Sequence, residues 1–212
     1  MNRTTFLVDG FNVYHLARSA SVDLGGQATK WLDLRSLLTS YLPIIGAGSA
    51  LEEIYYFSAL ATHLDPYRPG VTFRHRTYLE ALRSTGVIPV MGRFKPKTVH
   101  CRRCRTDSKH YEEKETDVAI SVKICELFTL DNADTIVLVT GDTDLAPAVR
   151  TAVRLFPSKQ VCFAFPYKRK NKELAQLVSK SFLIRKERYA AHQFPSDVRL
   201  PSGRMIRKPI DW

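Results

Sequence analysis

Residues 140–145 have the sequence Thr-Gly-Asp-Thr-Asp-Leu and directly follow the uncharged run Ile-Val-Leu-Val at 136–139. Such a run is typical of a buried parallel strand, and the apolar residues after the turn recur at helical spacing. Asp142 and Asp144 therefore stand where a strand ends and a helix begins. Helix capping explains one Asp at such a position, but it does not require two. The alternative is a binding site, because ligands of open α/β sheets bind at the carboxyl ends of strands.

The same alternation of strand and helix runs through most of the chain. Strands are predicted at 6–8, 54–57, 87–90, 135–139, 161–165 and 182–184, and helices at 31–42, 73–84, 111–130, 145–155 and 174–178. Residues 19–29, which include a Gly-Gly pair, are predicted to form a loop. Pro89 indicates that the third strand lies towards an edge of the sheet. This order predicts an α/β fold with a mainly parallel sheet of five to six strands, covered by helices on both faces.

Two further carboxylates occupy comparable positions. Asp9 follows the first strand, with Gly10 available for a tight turn and Asn12 close enough to hydrogen bond with it. Asp117 lies near the start of the predicted helix 111–130. Each acid has an ordinary explanation, since Asp-Gly is a common turn and acids favour the first turn of a helix.

Convergence of Asp9, Asp117, Asp142 and Asp144 at one edge of the sheet would be costly without a cation. At about 5 Å and an effective dielectric of about 20, each pair of charges repels by about 3 kcal/mol. Mg2+ or Mn2+ removes this conflict, because both prefer oxygen ligands and leave positions for phosphate oxygens. Two such ions can stabilise the attacking and leaving oxygens of a phosphodiester. The four acids are therefore the candidate metal ligands and catalytic residues.

The charge of the chain favours an anionic partner. It has 32 Lys and Arg against 21 Asp and Glu, with a net charge of +11 and a pI of about 9.6. The basic residues cluster at 93–109, 168–172 and 185–212, and not in one detachable tail. Basic surfaces bind phosphate backbones, although charge alone does not separate RNA, DNA and acidic membranes. The candidate nucleic-acid contacts are Arg102, Arg103, Lys114, Lys168 and Arg169.

Several classes of protein are not supported by the sequence. There is no run of about 18 apolar residues, so no membrane span is expected. The N-terminus has no secretory h-region, and the four cysteines are therefore expected to be reduced in a cytoplasmic protein. The motifs of P-loop NTPases, α/β-hydrolases and H-E-x-x-H metalloproteases do not occur. The 212 residues are expected to form one domain at 1–185, followed by a basic irregular tail at 186–212.

Residues 92–110 are predicted to form a basic insertion that contains a Cys-x2-Cys motif. His100, Cys101, Cys104 and His110 are candidate zinc ligands, because two Cys and two His are a common tetrahedral set. No second Cys-x2-Cys is present, so a basic loop with two free thiols is the favoured alternative. Bound zinc would order a segment that otherwise stays free to wrap a substrate.

Three motifs in this order resemble those of the NYN domain family of PIN-like nucleases. They are residues 6–13 (Phe-Leu-Val-Asp-Gly-Phe-Asn-Val), 113–118 (Glu-Lys-Glu-Thr-Asp-Val) and 139–147 (Val-Thr-Gly-Asp-Thr-Asp-Leu-Ala-Pro). The resemblance covers about residues 4–184 and is greatest to the bacterial LabA-like branch. It implies a PIN-like three-layer α/β/α sandwich and metal-dependent ribonuclease activity.

The resemblance also implies a set of site residues. The metal ligands correspond to Asp9, Asp117, Asp142 and Asp144, and the supporting residues to Asn12 and Thr140. Members of this branch can carry a Cys-x2-Cys before the helix of Asp117, which adds some support to the zinc hypothesis. The chain departs from the family at Glu115-Thr116, where such proteins frequently have Gly-Val. Glu115 is thereby an additional acid that could compete as a ligand.

The sequence thus predicts a metal-dependent endoribonuclease that cleaves RNA with Mg2+ or Mn2+, with DNA as the alternative substrate. A non-catalytic RNA-binding or regulatory NYN-like module is the alternative function, although the complete acid set favours an enzyme. A protein-interaction role through the basic tail and Trp212 is a third hypothesis. No membrane partner is expected, and the sequence does not determine the oligomeric state.

Overall fold

The computed structural model describes residues 1–210 and residue 212. Its strands are β1 (Asn2–Asp9), β2 (Ser49–Ser58), β3 (Ile88–Met91), β4 (Arg93–His100), β5 (Asp107–Lys114), β6 (Thr135–Val139), β7 (Gln160–Phe165), β8 (Lys180–Leu183), β9 (Asp197–Arg199) and β10 (Met205–Arg207). Its helices are α1 (Gly10–Asp23), α2 (Leu34–Thr39), α3 (Leu42–Ile45), α4 (Val71–Ser84), α5 (Thr116–Thr129), α6 (Ala146–Leu155), α7 (Lys172–Gln176) and α8 (Lys186–Ala191), with 3-10 turns at Thr62–Leu64 and Thr143–Leu145. Within the described residues, none of these helices has the length and apolar character of a membrane span.

Six parallel strands form the central sheet in the order β3-β2-β1-β6-β7-β8. In this sheet β1 lies between β2 and β6, with Asp9 beside Phe57 and Val8 beside Val139. Because the strands run in one direction, the carboxyl ends of β1, β2 and β6 meet at one edge. The β3 strand is at the side of the sheet, as Pro89 predicts. The predicted α/β class and mainly parallel sheet are confirmed.

Helices cover both faces of the sheet, because side chains of each strand alternate between them. In β1, Phe6 and Val8 pack in the core layer that contains α1, α2, α4 and α8. Leu7 packs in the opposite layer, with α5, α6 and α7. The inner strands are apolar on both faces, as parallel strands between two helical layers must be. The three-layer α/β/α sandwich implied by the resemblance is therefore confirmed.

The basic insertion is a β-hairpin and not a loop. Residues 93–114 form β4 and β5, which are joined by eight residue pairs. Helix α5 consequently begins at Thr116 and not at Tyr111. The Glu- and Lys-rich sequence favours a helix locally, but cross-strand pairs favour the hairpin, such as Lys97 Nζ with Glu112 Oε1 at 2.5 Å.

Two helix boundaries in the layer that contains α1 and α2 also differ from the prediction. Helix α1 extends to Asp23, so the first part of the predicted loop 19–29 is helical. The predicted helix 31–42 is divided into α2 and α3. Its start is shifted because the Asp33 carboxylate accepts a hydrogen bond from the Ser36 N–H at 3.0 Å and caps α2.

The residues after 185 are not an irregular tail. They form α8, a short connection and the β9–β10 hairpin, and this segment buries Tyr189, Phe194, Val198 and Ile206 in the α1 layer. The indole N–H of the fully buried Trp31 donates to Pro195 O at 2.8 Å. Pro195, Pro201 and Pro209 lie outside these short elements, where a missing N–H is tolerated.

Phe194→Ala tests this packing. The Phe194 side chain is 6% exposed, and its ring meets the Trp31 ring edge-on with 5.7 Å between centroids. We expect the free energy of unfolding in urea to fall by about 3 kcal/mol, because truncation of a buried Phe leaves a cavity. Phe73, which is 69% exposed, provides the control, and Phe73→Ala should change stability by less than about 0.5 kcal/mol. Equal effects of the two substitutions would show that this segment adds nothing to the core.

Candidate functional site

Asp9 is the most buried of the four predicted acids, at 5% exposure, and it links the ends of two neighbouring strands. The hydroxyl of Thr140, which directly follows β6, donates to Asp9 Oδ2 at 2.9 Å. The Asn12 side-chain amide donates to the same oxygen at 2.6 Å, and its backbone N–H donates to Oδ1 at 3.0 Å. Burial raises the pKa of Asp9, these hydrogen bonds oppose the rise, and the charge of Asp142 adds to it. Asp9 is thus both the N-cap of α1 and a buried carboxylate with a raised pKa.

The acidic turn after β6 is held by the same threonine. The Asp142 N–H donates to Thr140 Oγ1 at 3.1 Å, and the Asp144 N–H donates to Asp142 Oδ1 at 3.0 Å. Asp142 is therefore the N-cap of the 3-10 turn before α6. Since capping uses one carboxylate, it does not account for Asp144.

Asp117 lies in the first turn of α5 and faces the other acids. Burial, together with the charges of Asp142, Asp9 and Asp144, raises the pKa of Asp117 to about 6. Such an effect requires the carboxylates to lie within electrostatic range of one another. The fold therefore brings the four acids to one edge of the sheet, although they come from β1, α5 and the turn after β6.

A fifth acid, Glu113, joins this group and is not found by sequence reasoning. The Thr116 hydroxyl donates to Glu113 Oε1. Burial, with the charges of Asp9 and Asp117, raises the pKa of Glu113 to about 7. Glu113 is not predicted from the sequence because residues 111–130 are predicted there to form a helix. In the observed strand β5, side chains alternate between two faces, and that alternation is the signal that places Glu113 towards the acids.

Glu115, the additional acid noted in the sequence, has a different partner. Its Oε1 accepts from the Arg93 guanidinium at 2.5 Å. Its backbone φ of 82° lies in the left-handed region, which glycine adopts without strain. The Gly that NYN-like proteins frequently have here fits that conformation, so this departure adds backbone strain at the start of α5.

Four of the five candidate nucleic-acid contacts lie away from the acids or have acidic partners. Arg102 and Arg103 are exposed at the tip of the β4–β5 hairpin. Lys114 Nζ is 2.9 Å from Glu112 Oε2. Lys168 forms an ion pair with Asp23 and lies 5.3 Å from the centroid of the Tyr167 ring.

Arg169, the fifth candidate, packs against the acidic turn. A Cβ atom on Gly141 would stand 2.7 Å from Arg169 O and 2.9 Å from Arg169 Cβ, so only glycine permits this approach. The pKa of His15 is lowered by burial and by the charges of Arg18 and Arg169, and Asp9 opposes that change. His15 on α1 is therefore within electrostatic range of both Asp9 and Arg169. Like Glu113, His15 is not among the site residues that the sequence predicts.

The two candidate zinc-binding histidines are separated in the hairpin. His100 pairs with Asp107, and its Nδ1 is 2.7 Å from Asp107 Oδ1. His110 pairs with Lys97, three residue pairs further from the tip. That spacing corresponds to roughly 10 Å, and an odd spacing directs the two side chains to opposite faces of the hairpin.

The two thiols lie in the turn of the hairpin. Cys104 Sγ is 2.8 Å from Thr106 Oγ1, and hydrogen bonds with Thr106 and Cys101 lower the pKa of Cys104 to about 7. All four cysteines are free. Because His110 is remote from this turn, the predicted set of four zinc ligands is not assembled in this arrangement.

Comparison with known proteins places this geometry in a family. The sequence model of the NYN domain matches residues 3–184, which is most of the chain. The chain belongs to the NYN domain family. The match does not separate branches of the family, so the LabA-like assignment stays a prediction. None of the curated proteins matches this NYN domain.

Some solved structures of other proteins are similar to the structure of this NYN domain. A protein of unknown function from Vibrio parahaemolyticus has a TM-score of 0.56 at 17% identity, covering 86% of this chain and 93% of its own. A Listeria monocytogenes protein provisionally assigned as a UDP-N-acetylglucosamine 2-epimerase has a TM-score of 0.35 at 11% identity, covering 90% of this chain and 42% of its own. The first similarity concerns the fold alone, and the second is too low to support an argument.

PIN-like folds imply a divalent metal ion, and the donor chemistry of this NYN domain fits one. The converging side chains are carboxylates, which Mg2+ and Mn2+ prefer, and the raised pKa values of Asp9, Asp117 and Glu113 indicate negative charge that a cation would compensate. Among residues 1–210 and 212, no three Asp, Glu, His or Cys side chains form a group that could hold one ion. Mg2+ commonly uses one or two carboxylates and keeps several waters.

Asp117→Asn tests the electrostatic convergence in metal-free NYN domain. A carboxyl with a raised pKa destabilises the fold above its unfolded-state pKa, and this effect is complete above its folded pKa of about 6. In EDTA, we expect the variant to exceed the wild type in unfolding free energy by on the order of 1 kcal/mol near pH 8, after allowance for solvent screening. Near pH 3.5, where Asp117 is protonated, the two proteins should be about equal.

Asp134→Asn is the control of opposite sign. Hydrogen bonds from Arg3 and Lys159 hold the pKa of Asp134 well below its usual range. That carboxylate stabilises the fold above the unfolded-state pKa, so its loss should lower stability near pH 8. A destabilised Asp117→Asn at that pH would contradict the repulsion among the acids.

Proposed function

We propose that this NYN domain is a cytoplasmic endoribonuclease that hydrolyses RNA phosphodiester bonds with a bound Mg2+ or Mn2+. The observation that carries the proposal is the convergence of Glu113 with the four acids Asp9, Asp117, Asp142 and Asp144. The opposite edge of the sheet offers a contrast, since there Asp134 Oδ1 is 2.8 Å from the Arg3 guanidinium. Acids with a purely structural role are typically paired in that way, whereas the pKa values of Asp9, Glu113 and Asp117 are raised by burial and by the neighbouring carboxylates.

The acids differ in exposure and can therefore serve different purposes. Asp9 is buried and fixed by Thr140 and Asn12, so it suits a permanent cation ligand. Asp142 and Asp144 are more exposed and can reach an ion that also contacts substrate. Such an ion would act as a Lewis acid towards the phosphoryl oxygens.

Glu113 is suited to proton transfer. Its pKa of about 7 lies near neutral pH, where a carboxyl can both accept and return a proton efficiently. Glu113 also lines the cavity beside the acids, so a substrate could reach it. We assign Glu113 as a general acid or base and the four Asp residues as the cation-binding set.

The basic surface favours a polyanionic substrate. Arg169 is adjacent to the acidic turn, where it can contact a phosphate. The β4–β5 hairpin extends the basic surface by roughly 24 Å, at about 3.4 Å per residue, and it carries Arg102 and Arg103 at its tip. The family suggests RNA as that polyanion, and the acids supply the reason for cleavage and not only binding.

Asp142→Asn should abolish cleavage while leaving RNA binding intact or tighter. Loss of a cation ligand should reduce cleavage by at least about 100-fold, and loss of a negative charge should not weaken contact with phosphates. The assay is incubation of labelled single-stranded RNA and DNA with purified protein in Mn2+, Mg2+ or EDTA.

Asp131→Asn provides the matched control, because Asp131 is 72% exposed and contacts Arg3 at the opposite edge of the sheet. It should cleave like the wild type. Cleavage by Asp142→Asn at the wild-type rate, or cleavage by the wild type in EDTA, would contradict the proposed mechanism. Binding of RNA by the wild type with no cleavage in either metal would favour a non-catalytic module.

A further inference from the structure

A cavity of about 440 Å³ lies directly beside the acids, with Gly10 and Glu113 in its wall. The rest of its lining consists largely of rings, including Phe11, Tyr14, His63, His75, Phe94 and Trp212. We call this cavity the aromatic pocket. Its volume falls in the range of about 300–1,000 Å³ that is typical of small-molecule sites. Neither the cation-binding set nor the basic hairpin explains such a concentration of rings.

The rings of the aromatic pocket come from separate parts of the chain. Phe11 directly follows the Asp9-Gly10 turn, and its ring meets Phe94 of the β4–β5 hairpin edge-on with 5.6 Å between centroids. The ring centroid of His63 lies 4.7 Å from that of Phe94, and the His63 ring is stacked on the Tyr111 ring with 4.0 Å between centroids. The fold therefore places flat side chains from α1, the 3-10 turn after β2 and the hairpin around one opening.

The aromatic pocket combines uncharged rings with polar and charged groups in its wall. Burial lowers the pKa of His75 to about 4, so its imidazole is uncharged near neutral pH and can either donate or accept. Among the described residues, His63 Nδ1 is enclosed but has no hydrogen-bond partner. Arg18 and Arg68, both exposed, add positive charge to the lining. A flat, neutral, hydrogen-bonding ligand with an attached phosphate matches this combination.

We propose that the aromatic pocket binds one unpaired nucleobase of the RNA strand, adjacent to the phosphate that is positioned at the acids. The inference rests on the proposed function, and it adds a separate site for one base beside the acids. Unstacked RNA bases are commonly held by stacking on Phe, Tyr, Trp or His and by hydrogen bonds to their edges. Bases in a duplex are stacked on their neighbours and could not enter a cavity of this shape.

The test uses the full-length protein in EDTA, so that cleavage does not interfere with binding. Fluorescence anisotropy compares a labelled 12-nucleotide single-stranded RNA with a fully abasic strand of the same length and charge. Wild type should bind the RNA at least about 10-fold more tightly, and Phe94→Ala should lose about 10-fold on the RNA and less than about 2-fold on the abasic strand. Phe73→Ala, an exposed Phe outside the aromatic pocket, should match the wild type on both strands.

A second variant guards against an effect of misfolding. Ala61→Trp would fill the aromatic pocket from its wall, and it should reduce affinity for RNA but not for the abasic strand. Circular dichroism and thermal unfolding verify that each variant is folded. Equal affinity of wild type for the two strands, or equal losses on both strands in Phe94→Ala and Ala61→Trp, would overturn the proposal.

Failure of the proposed function would produce a different result. A wild type that cleaves RNA in Mn2+ but binds both strands equally would overturn the aromatic pocket and leave the nuclease. A wild type that prefers RNA over the abasic strand but does not cleave would support the aromatic pocket and contradict the nuclease.

Discussion

The hydrogen bond from Thr140 to Asp9 is the contact on which the site depends. It joins the carboxyl ends of β1 and β6, and the same hydroxyl accepts the Asp142 N–H, so one side chain fixes both a buried carboxylate and the acidic turn. Without this donor, a carboxylate at 5% exposure would lose one of its three hydrogen bonds, which is costly in a buried position. Gly10 and Gly141 follow the two strands and allow neighbouring backbone to approach closely.

The acids lower stability at one edge of the sheet, and the rest of the fold offsets this effect. Burial and mutual repulsion raise pKa values among the acids, which is the expected signature of a site organised for a cation and not for folding. The opposite edge has paired charges, and Arg3 there contacts both Asp131 and Asp134. The buried segment after residue 185 adds Tyr189 and Phe194 to the apolar layer. The converging acids and the paired charges of Arg3 thus lie at opposite ends of the same strands.

Local sequence determined what could be predicted. The apolar runs of parallel strands, and the Asp residues that follow two of them, are visible without knowledge of partners. Glu113 and the separation of His100 from His110 depend on the register of β4 with β5, which local propensity does not encode. The burial of Phe194 against Trp31 depends on contacts between residues distant in sequence. Sequence patterns therefore predict which edge of the sheet carries the Asp residues. They do not predict Glu113 or the aromatic contacts, because these depend on pairing between distant segments.

The most direct test of a cation-binding acid cluster is the free energy of unfolding as a function of Mn2+ concentration near neutral pH. The wild type should gain stability with Mn2+, by about 2.7 kcal/mol at 100 times the dissociation constant, because the ion binds the folded state alone. The Asp117→Asn/Asp142→Asn double variant should be more stable than the wild type in EDTA and gain little from Mn2+. A wild type that gains no stability, or a double variant that gains as much, would contradict the account.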